Sequence, residues 1–242
     1  EALKQIHFPS TSNALYNAIN RLKFSEHFFF QLMMLSRKSL LDKLPSKPLI
    51  KTGVQTKLVY NTIDFELTKA QKRVLKQIKD DLSQPYAMNR LLQGDVGSGK
   101  TIVAIMSIII AVENNFQSCI VAPTEILAQQ HFSSFINYLS DININVKILT
   151  GSTTKSQRNL ILSDLIIGKI DVLIGTHALF EDDVRFKNLG YVVIDEQHKF
   201  GVKQRSKMWK KNNPPPHVLI MTATPIPRTL TMSIYGDLDI SV

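Results

Sequence analysis

A glycine-rich segment with one lysine, residues 94–101, constrains the fold of this chain more than any other feature. It has the sequence GDVGSGKT and matches the pattern GxxxxGK[ST] in full. The apolar pair Leu91-Leu92 precedes it, and a long apolar run begins at Ile102. A strand that turns through glycines into a helix presents several backbone N–H groups to one anion. The pattern therefore predicts a strand–loop–helix unit that binds a nucleoside triphosphate.

Each residue type in this loop has a chemical reason to be there. Gly97 and Gly99 let the backbone bend so that its N–H groups converge, and a side chain there would block the phosphates. Lys100 is placed to reach the β- and γ-phosphates, and the Thr101 hydroxyl is placed to bind Mg²⁺. The predicted nucleotide contacts within the loop are Gly94, Gly97, Ser98, Gly99, Lys100 and Thr101.

Beyond residue 65, segments with a helical pattern alternate with short apolar runs. The predicted helices are 68–82, 101–112, 125–139 and 155–167. The apolar runs are 91–92, 119–122, 146–149, 172–174, 191–194 and 218–221. Several runs are rich in Val and Ile without polar alternation, which is typical of strands buried on both faces of a parallel sheet. The predicted fold class is α/β, with a mostly parallel central sheet flanked by helices and active residues at the strand ends.

The first sixty residues differ from the rest in pattern and in charge. Apolar residues at spacings of three and four predict a helix over 12–42. Two prolines and a glycine within 45–53 indicate a linker. Residues 1–60 contain nine Lys and Arg against three Asp and Glu. The aromatic run 28–30 fits packing against a neighbouring domain better than stacking on nucleobases, and the sequence leaves both open.

Composition bounds the partners and the compartment. A formal charge of +9 over 242 residues suits a polyanionic partner. Cys119 is the single cysteine, which excludes an internal disulfide and makes a cytoplasmic setting the expectation. Its apolar neighbours predict a buried core residue. The apolar stretch 102–112 is too short to span a bilayer, so no membrane partner is expected.

A carboxylate pair, Asp195-Glu196, directly follows the apolar run Val192-Val193-Ile194. At the tip of a buried strand downstream of a phosphate-binding loop, Asp195 is placed to hold Mg²⁺ and Glu196 to orient and polarise an attacking water. Neither an NKxD guanine-binding motif nor an LSGGQ transporter signature occurs in the sequence. The pattern favours a nucleoside triphosphatase of the motor class.

Taken in order, these motifs resemble those of superfamily 2 helicases. Residues 195–198 (DEQH) are similar to the second motif of that superfamily, in which His198 is implied to be a coupling residue. Residues 65–71 (FELTKAQ) resemble the adenine-reading segment, with Gln71 as the base contact. Residues 222–230 (TATPIPRTL) resemble the third motif, which links hydrolysis to strand movement through Thr222, Thr224 and Arg228. Three further segments, residues 122–131, 150–152 and 175–180, resemble motifs that contact the DNA backbone, and they implicate Thr124, Thr150, Gly151, Thr176 and His177.

Two longer strings narrow the resemblance to the RecG family: residues 88–101 (MNRLLQGDVGSGKT) and residues 195–202 (DEQHKFGV). This resemblance implies an ATP- and Mg²⁺-dependent helicase that remodels branched DNA such as stalled forks and Holliday junctions. It also implies a helical linker at 1–60 that follows an absent wedge domain, and a first RecA-like domain at 61–242 whose second RecA-like partner is absent. The fragment alone is therefore expected to be nearly inactive.

Two other functions remain as alternatives. The motor of a transcription-repair coupling factor is close in sequence, although that family usually has DEEQRFG where this chain has DEQHKFG. A non-catalytic ATP-binding switch would need the same loop but not the catalytic carboxylate. Six basic residues follow the Asp-Glu pair, and each fits either a solvated face or a DNA contact. They are Lys199, Lys203, Arg205, Lys207, Lys210 and Lys211.

Overall fold

The computed structural model of the chain describes residues 1–41, 44–140, 142–196, 207–209, 211–224 and 238–241. The described residues fall into two compact units, with 1–41 and 238 in one and those of 44–224 and 239–241 in the other. The smaller unit contains α1 (Ala2–His7) and α2 (Ser12–Leu41), which pack against each other. The division after residue 41 comes earlier in the chain than the boundary expected near residue 60.

Aromatic side chains on α2 pack on one another. The rings of Phe24 and Phe28 stack with centroids 6.0 Å apart, and Phe29 meets Phe28 edge-on at 5.6 Å. Phe28 and Phe29 are 50% and 66% exposed within the described residues. Their packing against a neighbouring domain stays a prediction.

The larger unit alternates helices and strands as the sequence predicts. Its helices are α3 (Val54–Thr62), α4 (Lys69–Leu82), α5 (Lys100–Glu113), α6 (Glu125–Tyr138), α7 (Lys155–Ile167) and a 3₁₀ helix (His177–Phe180). Its strands are β1 (Asn89–Gln93), β2 (Gln117–Val121), β3 (Val146–Leu149), β4 (Val172–Gly175), β5 (Leu189–Asp195), β6 (His217–Thr222) and β7 (Asp239–Ser241). Every predicted helix and strand is present, and α1, α3, β7 and the 3₁₀ helix are additional.

The seven strands form one sheet in the order β3-β4-β2-β5-β6-β1-β7, and every pairing is parallel. The α/β prediction with a parallel sheet is confirmed. In the register of the central strands, Gln93 at the end of β1 lies beside Thr222, and Asp195 at the end of β5 lies beside Met221. Because all strands run the same way, the loops that follow them share one edge of the sheet.

Helix α5 is the centre of the core. Its residues 102–111 are buried, and it packs against β2, β5, α3 and α4. Truncation of a fully buried residue such as Ile109 to Ala would cost about 2–5 kcal/mol. Cys119 in β2 is buried as predicted, and burial raises the pKa of its thiol to about 12. Within the described ranges, every helix is too short or too polar to cross a membrane.

The segment predicted as a linker is fastened to the end of α5. The Glu113 carboxylate accepts hydrogen bonds from Gly53 N (2.8 Å), Thr56 N (3.1 Å) and Thr56 Oγ1 (2.6 Å). Burial alone would raise the pKa of Glu113, but the hydrogen bonds from Thr56 and Gly53 lower it overall. Asn114 binds both the N–H and the carbonyl of Lys51. These bonds explain why residues 44–60 belong to the larger unit.

Candidate active site

The loop between β1 and α5 adopts the conformation that its glycines were expected to permit. Gly97 and Gly99 have φ of +80° and +81°, in the left-handed region that favours glycine. A Cβ on Gly99 would overlap the Gln71 amide, whereas a Cβ on Gly97 would meet nothing within 4 Å. Gly97 therefore borders open space, as a loop whose backbone N–H groups approach an anion requires.

Lys100 lies across this loop. Its ammonium group donates hydrogen bonds to the carbonyl oxygens of Gly94 (2.6 Å) and Asp95 (2.8 Å). An ammonium group has three N–H donors, so these two bonds leave a third for a phosphate oxygen. The side chain is thus held at the loop from which the sequence predicts phosphate contact.

Thr101 and Asp195, the two predicted magnesium ligands, line the same cavity of about 720 Å³. Asp195 is only 8% exposed at the end of β5, and Thr101 is in the first turn of α5. Hydroxyl and carboxylate oxygens suit Mg²⁺, which usually keeps several water and phosphate ligands. Among the described residues, no group of three or more His, Cys, Asp and Glu side chains could hold a metal by itself. A magnesium ion here would therefore take its remaining ligands from phosphate and water.

A histidine that the sequence did not single out contacts Asp195. His131 Nε2 lies 2.8 Å from Asp195 Oδ2, and both side chains are almost buried. An ionised carboxylate only accepts hydrogen bonds, so the proton of this bond is on His131 Nε2. One oxygen of the predicted magnesium ligand is thereby fixed in direction.

Glu196 has an unusual backbone conformation, with φ of +50°. For a residue with a side chain this costs about 1–3 kcal/mol, and such strain clusters at functional sites. Two hydrogen bonds to the end of β6 stabilise it: Glu196 N donates to Met221 O at 3.0 Å, and Ala223 N donates to Glu196 Oε1 at 3.2 Å. Glu196 is therefore joined to the segment that was predicted to couple hydrolysis to movement.

That coupling segment is itself ordered by two threonines. Thr222 Oγ1 and Thr224 Oγ1 lie 2.8 Å apart, and Thr224 N donates to Thr222 Oγ1 at 3.2 Å. The other residues with predicted catalytic or coupling roles, His198 and Arg228, lie outside the described residues.

Gln71, the predicted adenine contact, lies against the phosphate-binding loop. It forms a capping box with Thr68 at the start of α4, in which Thr68 N donates to Gln71 Oε1 at 2.9 Å. Its Nε2 donates to the carbonyl oxygen of Ser98 at 2.9 Å. An amide has a second N–H on the same nitrogen, which is the donor that a base contact would use. The adenine contact stays a prediction.

The predicted DNA contacts follow the ends of three other strands. Thr124 follows β2, Thr150 and Gly151 follow β3, and Thr176 and His177 follow β4. Thr124, Gly151 and His177 are exposed, whereas Thr150 and Thr176 are 7% and 2% exposed. The three exposed residues are therefore accessible to a phosphate backbone, whereas the two buried threonines are not.

Glu125, the first residue of α6, contacts one of these loops. Its carboxylate accepts hydrogen bonds from Ser152 N (3.1 Å) and Ser152 Oγ (2.7 Å). Both residues stand in the predicted DNA-contact motifs, but the sequence did not assign them a role. Their pairing, like that of His131 with Asp195, depends on which strands are neighbours, and a single sequence carries little signal for strand order.

Comparison with known proteins identifies a helicase family. The chain matches the DEAD/DEAH box helicase family over residues 68–233. It is 48% identical to the ATP-dependent DNA helicase RecG of Aquifex aeolicus, over 99% of this chain and 31% of the relative. It is 44% identical to RecG of Bacillus subtilis, over 100% of this chain and 36% of the relative. The chain thus spans about a third of the length of these relatives.

Solved structures of helicases are also similar to this chain. The structure of RecG bound to a three-way DNA junction matches with a TM-score of 0.84 and 42% identity, covering 99% of this chain and 32% of that one. The UvsW helicase of bacteriophage T4 matches with a TM-score of 0.56 and 17% identity, covering 84% of this chain and 65% of that one, which shows a shared fold. The homology to RecG helicases extends over nearly the whole chain, and because the helicase family model covers most of its residues, the chain belongs to the DEAD/DEAH box helicase family.

Proposed function

We propose that this chain is the ATP-binding motor domain of a RecG-type DNA helicase that remodels branched DNA. The observation that carries the proposal is the shared edge of β1, β6 and β5, where the phosphate-binding loop, the Thr222 segment and the Asp195-Glu196 pair come together. The homology to RecG adds the substrate class, since one such relative is bound to a three-way DNA junction.

We assign separate roles in ATP hydrolysis to the residues at this edge of the sheet. Lys100 binds the β- and γ-phosphates, and Thr101 and Asp195 hold Mg²⁺ directly or through water. When bound, the ion neutralises the charge of the phosphates. Glu196 orients the attacking water in line with the terminal phosphate and accepts a proton from it. The hydrogen bond from Ala223 N holds the Glu196 carboxylate in place. Gln71 reads the adenine.

The same edge offers a separate region for DNA. Nucleotide residues follow β1, β5 and β6, and the exposed DNA candidates follow β2 and β3-β4 on the other half of the sheet. Hydroxyls, backbone N–H groups and a histidine suit contact with phosphates, which gives affinity without reading sequence. We infer that Thr124, Gly151 and His177 contact the DNA backbone.

In the full-length protein, two further domains would complete the helicase. A second RecA-like domain would supply arginines to the transferring phosphate, and a wedge domain would engage the branch. An arginine of this kind is worth roughly 10³–10⁵ in rate. This chain alone should therefore bind ATP·Mg²⁺ weakly and hydrolyse it very slowly. The whole protein would act in the cytoplasm, where its DNA and ATP are found.

The test is the ATPase rate of the full-length protein with forked, linear and single-stranded DNA, each at the same concentration of DNA nucleotides. We expect forked DNA to stimulate hydrolysis most strongly, and we expect the 242-residue chain alone to show almost none. Equal stimulation by all three DNAs would contradict the branched substrate. Fast, DNA-stimulated turnover by the chain alone would contradict its role as half of a motor.

A further inference from the structure

The two halves of the active edge meet where β2 lies beside β5. Helix α6 follows β2, on the DNA side of this boundary, and Asp195 ends β5, on the nucleotide side. The 2.8 Å contact between His131 Nε2 and Asp195 Oδ2 crosses the boundary. It therefore joins an element with predicted DNA contacts to a predicted magnesium ligand.

The first turn of α6 is joined to one of the loops with predicted DNA contacts. Glu125 begins the helix and accepts two hydrogen bonds from Ser152, next to Gly151. A Cβ on Gly151 would lie 3.1 Å from Glu125 Oε1, so the loop and the carboxylate are in close approach. Any movement of this loop toward a phosphate backbone acts directly on the first turn of α6.

Helix α6 is a single capped and packed element between these two contacts. Thr124 caps it by accepting a hydrogen bond from Leu127 N, and Ala128 and Phe135 are fully buried along its inner face. His131 lies six positions after Glu125, which is about 9 Å along a helix axis at 1.5 Å per residue. A rigid helix of that length transmits a shift at its first turn to its second.

We propose that α6 couples DNA contact to magnesium binding, with His131 as the residue that positions the Asp195 carboxylate. The inference rests on the proposed function, because it requires a magnesium-bound nucleotide and a DNA strand at the two halves of the edge. By donating from Nε2 to Oδ2, His131 holds one oxygen of Asp195 in the cavity that Thr101 also lines, which leaves the other oxygen, Oδ1, to face the ion. Partners of this kind behind a metal ligand typically contribute 10–100-fold to metal affinity.

Three variants of the full-length protein separate this role from a merely structural one. His131→Leu removes the donor but keeps an apolar group of similar size. His131→Gln keeps an N–H near the position of Nε2. Asn137→Leu is the matched control, since it makes the same polar-to-apolar change on an exposed position of α6 outside the cavity lining.

The measurement is equilibrium binding of a fluorescent ATP analogue in Mg²⁺ and in EDTA, each with and without forked DNA. We expect His131→Leu to reduce the advantage of Mg²⁺ over EDTA by about tenfold or more. Its affinity in EDTA should match that of the wild type. His131→Gln should stay within about threefold of the wild type, and Asn137→Leu should be unchanged.

Two outcomes would overturn the positioning role: an unchanged Mg²⁺ advantage in His131→Leu, or an equal loss of affinity in Mg²⁺ and in EDTA for both His131 variants. The coupling has its own test. DNA should lower the Mg²⁺ concentration for half-saturation in the wild type, and His131→Leu and Glu125→Ala should each abolish that shift. A shift that persists in both variants, or that is absent from the wild type, would refute the coupling. Failure of the wild type to bind nucleotide or DNA at all would instead refute the proposed function.

Discussion

The Glu196 carboxylate accepts a hydrogen bond from the backbone N–H of Ala223 at 3.2 Å. Glu196 directly follows β5 and Ala223 directly follows β6, and these two strands are neighbours in the sheet. Glu196 makes this contact from a left-handed backbone conformation, with φ of +50°. The residue proposed to activate water and the segment proposed to respond to hydrolysis are therefore already in contact.

Replacement of Glu196 by Gln should abolish turnover and leave nucleotide binding intact. The amide oxygen of the new side chain would still accept from Ala223 N, but an amide cannot take a proton from water. We expect the DNA-stimulated ATPase rate of the full-length protein to fall by about 10²–10⁴, while the affinity for a fluorescent ATP analogue changes little. Glu26→Gln, an exposed carboxylate on α2, is the control. A non-catalytic switch would show no loss of activity on Glu196→Gln.

Gly97→Ala should impair nucleotide binding beyond its effect on stability. Gly168, at the end of α7, has the same backbone conformation, with φ of +82° against +80° for Gly97. An alanine at Gly97 should cost roughly 1–2 kcal/mol of unfolding free energy in urea titrations. One at Gly168 should cost at least as much, because its methyl group would also meet Lys187 Cδ at 2.7 Å. Only the methyl group at Gly97 would face the open side of the phosphate-binding loop. Nucleotide affinity should therefore drop in Gly97→Ala alone, and an equal drop in Gly168→Ala would contradict this account.

Stability should decrease in mild acid because of His217. Its Nδ1 accepts from Met88 N at 3.0 Å, and its Nε2 bonds to Lys47 O at 2.9 Å, so the buried ring is neutral. Burial lowers the pKa of His217 below its ordinary value of 6.5. The unfolded chain therefore binds the proton more readily, and the unfolding free energy should fall as pH drops below 6.5 toward the folded-state pKa. In urea titrations from about pH 5 to pH 7.5, His217→Asn should flatten this dependence, and an unchanged slope would exclude His217 as its source.

The thiol of Cys119 should not react in the folded chain. It is fully buried, and its raised pKa keeps it protonated at neutral pH. We expect an aromatic disulfide reagent to label it only as fast as the protein unfolds, with full labelling in denaturant. Rapid labelling under native conditions would show that β2 opens locally or that the thiol is accessible.

The elements of the fold were largely predictable because their signals are local. Val- and Ile-rich runs mark strands that are buried on both faces, such as β5, and the glycines of the phosphate-binding loop mark the turn into α5. By contrast, α3 and β7 were missed. Helix α3 has one fully buried residue, Val59, and β7 has three residues, so neither carries a clear apolar period.

The partners within the site were much less predictable than its motifs. Glu125 and His131 stand in a recognisable segment, but their contacts with Ser152 and Asp195 depend on the placement of β2 between β4 and β5. Gln71 illustrates the same limit, because its segment is recognisable but its bond to Ser98 is a tertiary contact. Strand order comes from long-range packing, which one sequence does not encode in any local pattern.

The most direct test of the proposed site is a crystal structure of the chain with a non-hydrolysable ATP analogue and Mn²⁺ in place of Mg²⁺. We expect one anomalous peak within direct coordination distance of Thr101 Oγ1. The same manganese ion should bind the Asp195 carboxylate directly or through one water. Lys100 Nζ should bond to the terminal phosphate. A triphosphate bound without contact to Lys100, or a manganese peak remote from Asp195, would contradict the proposed site.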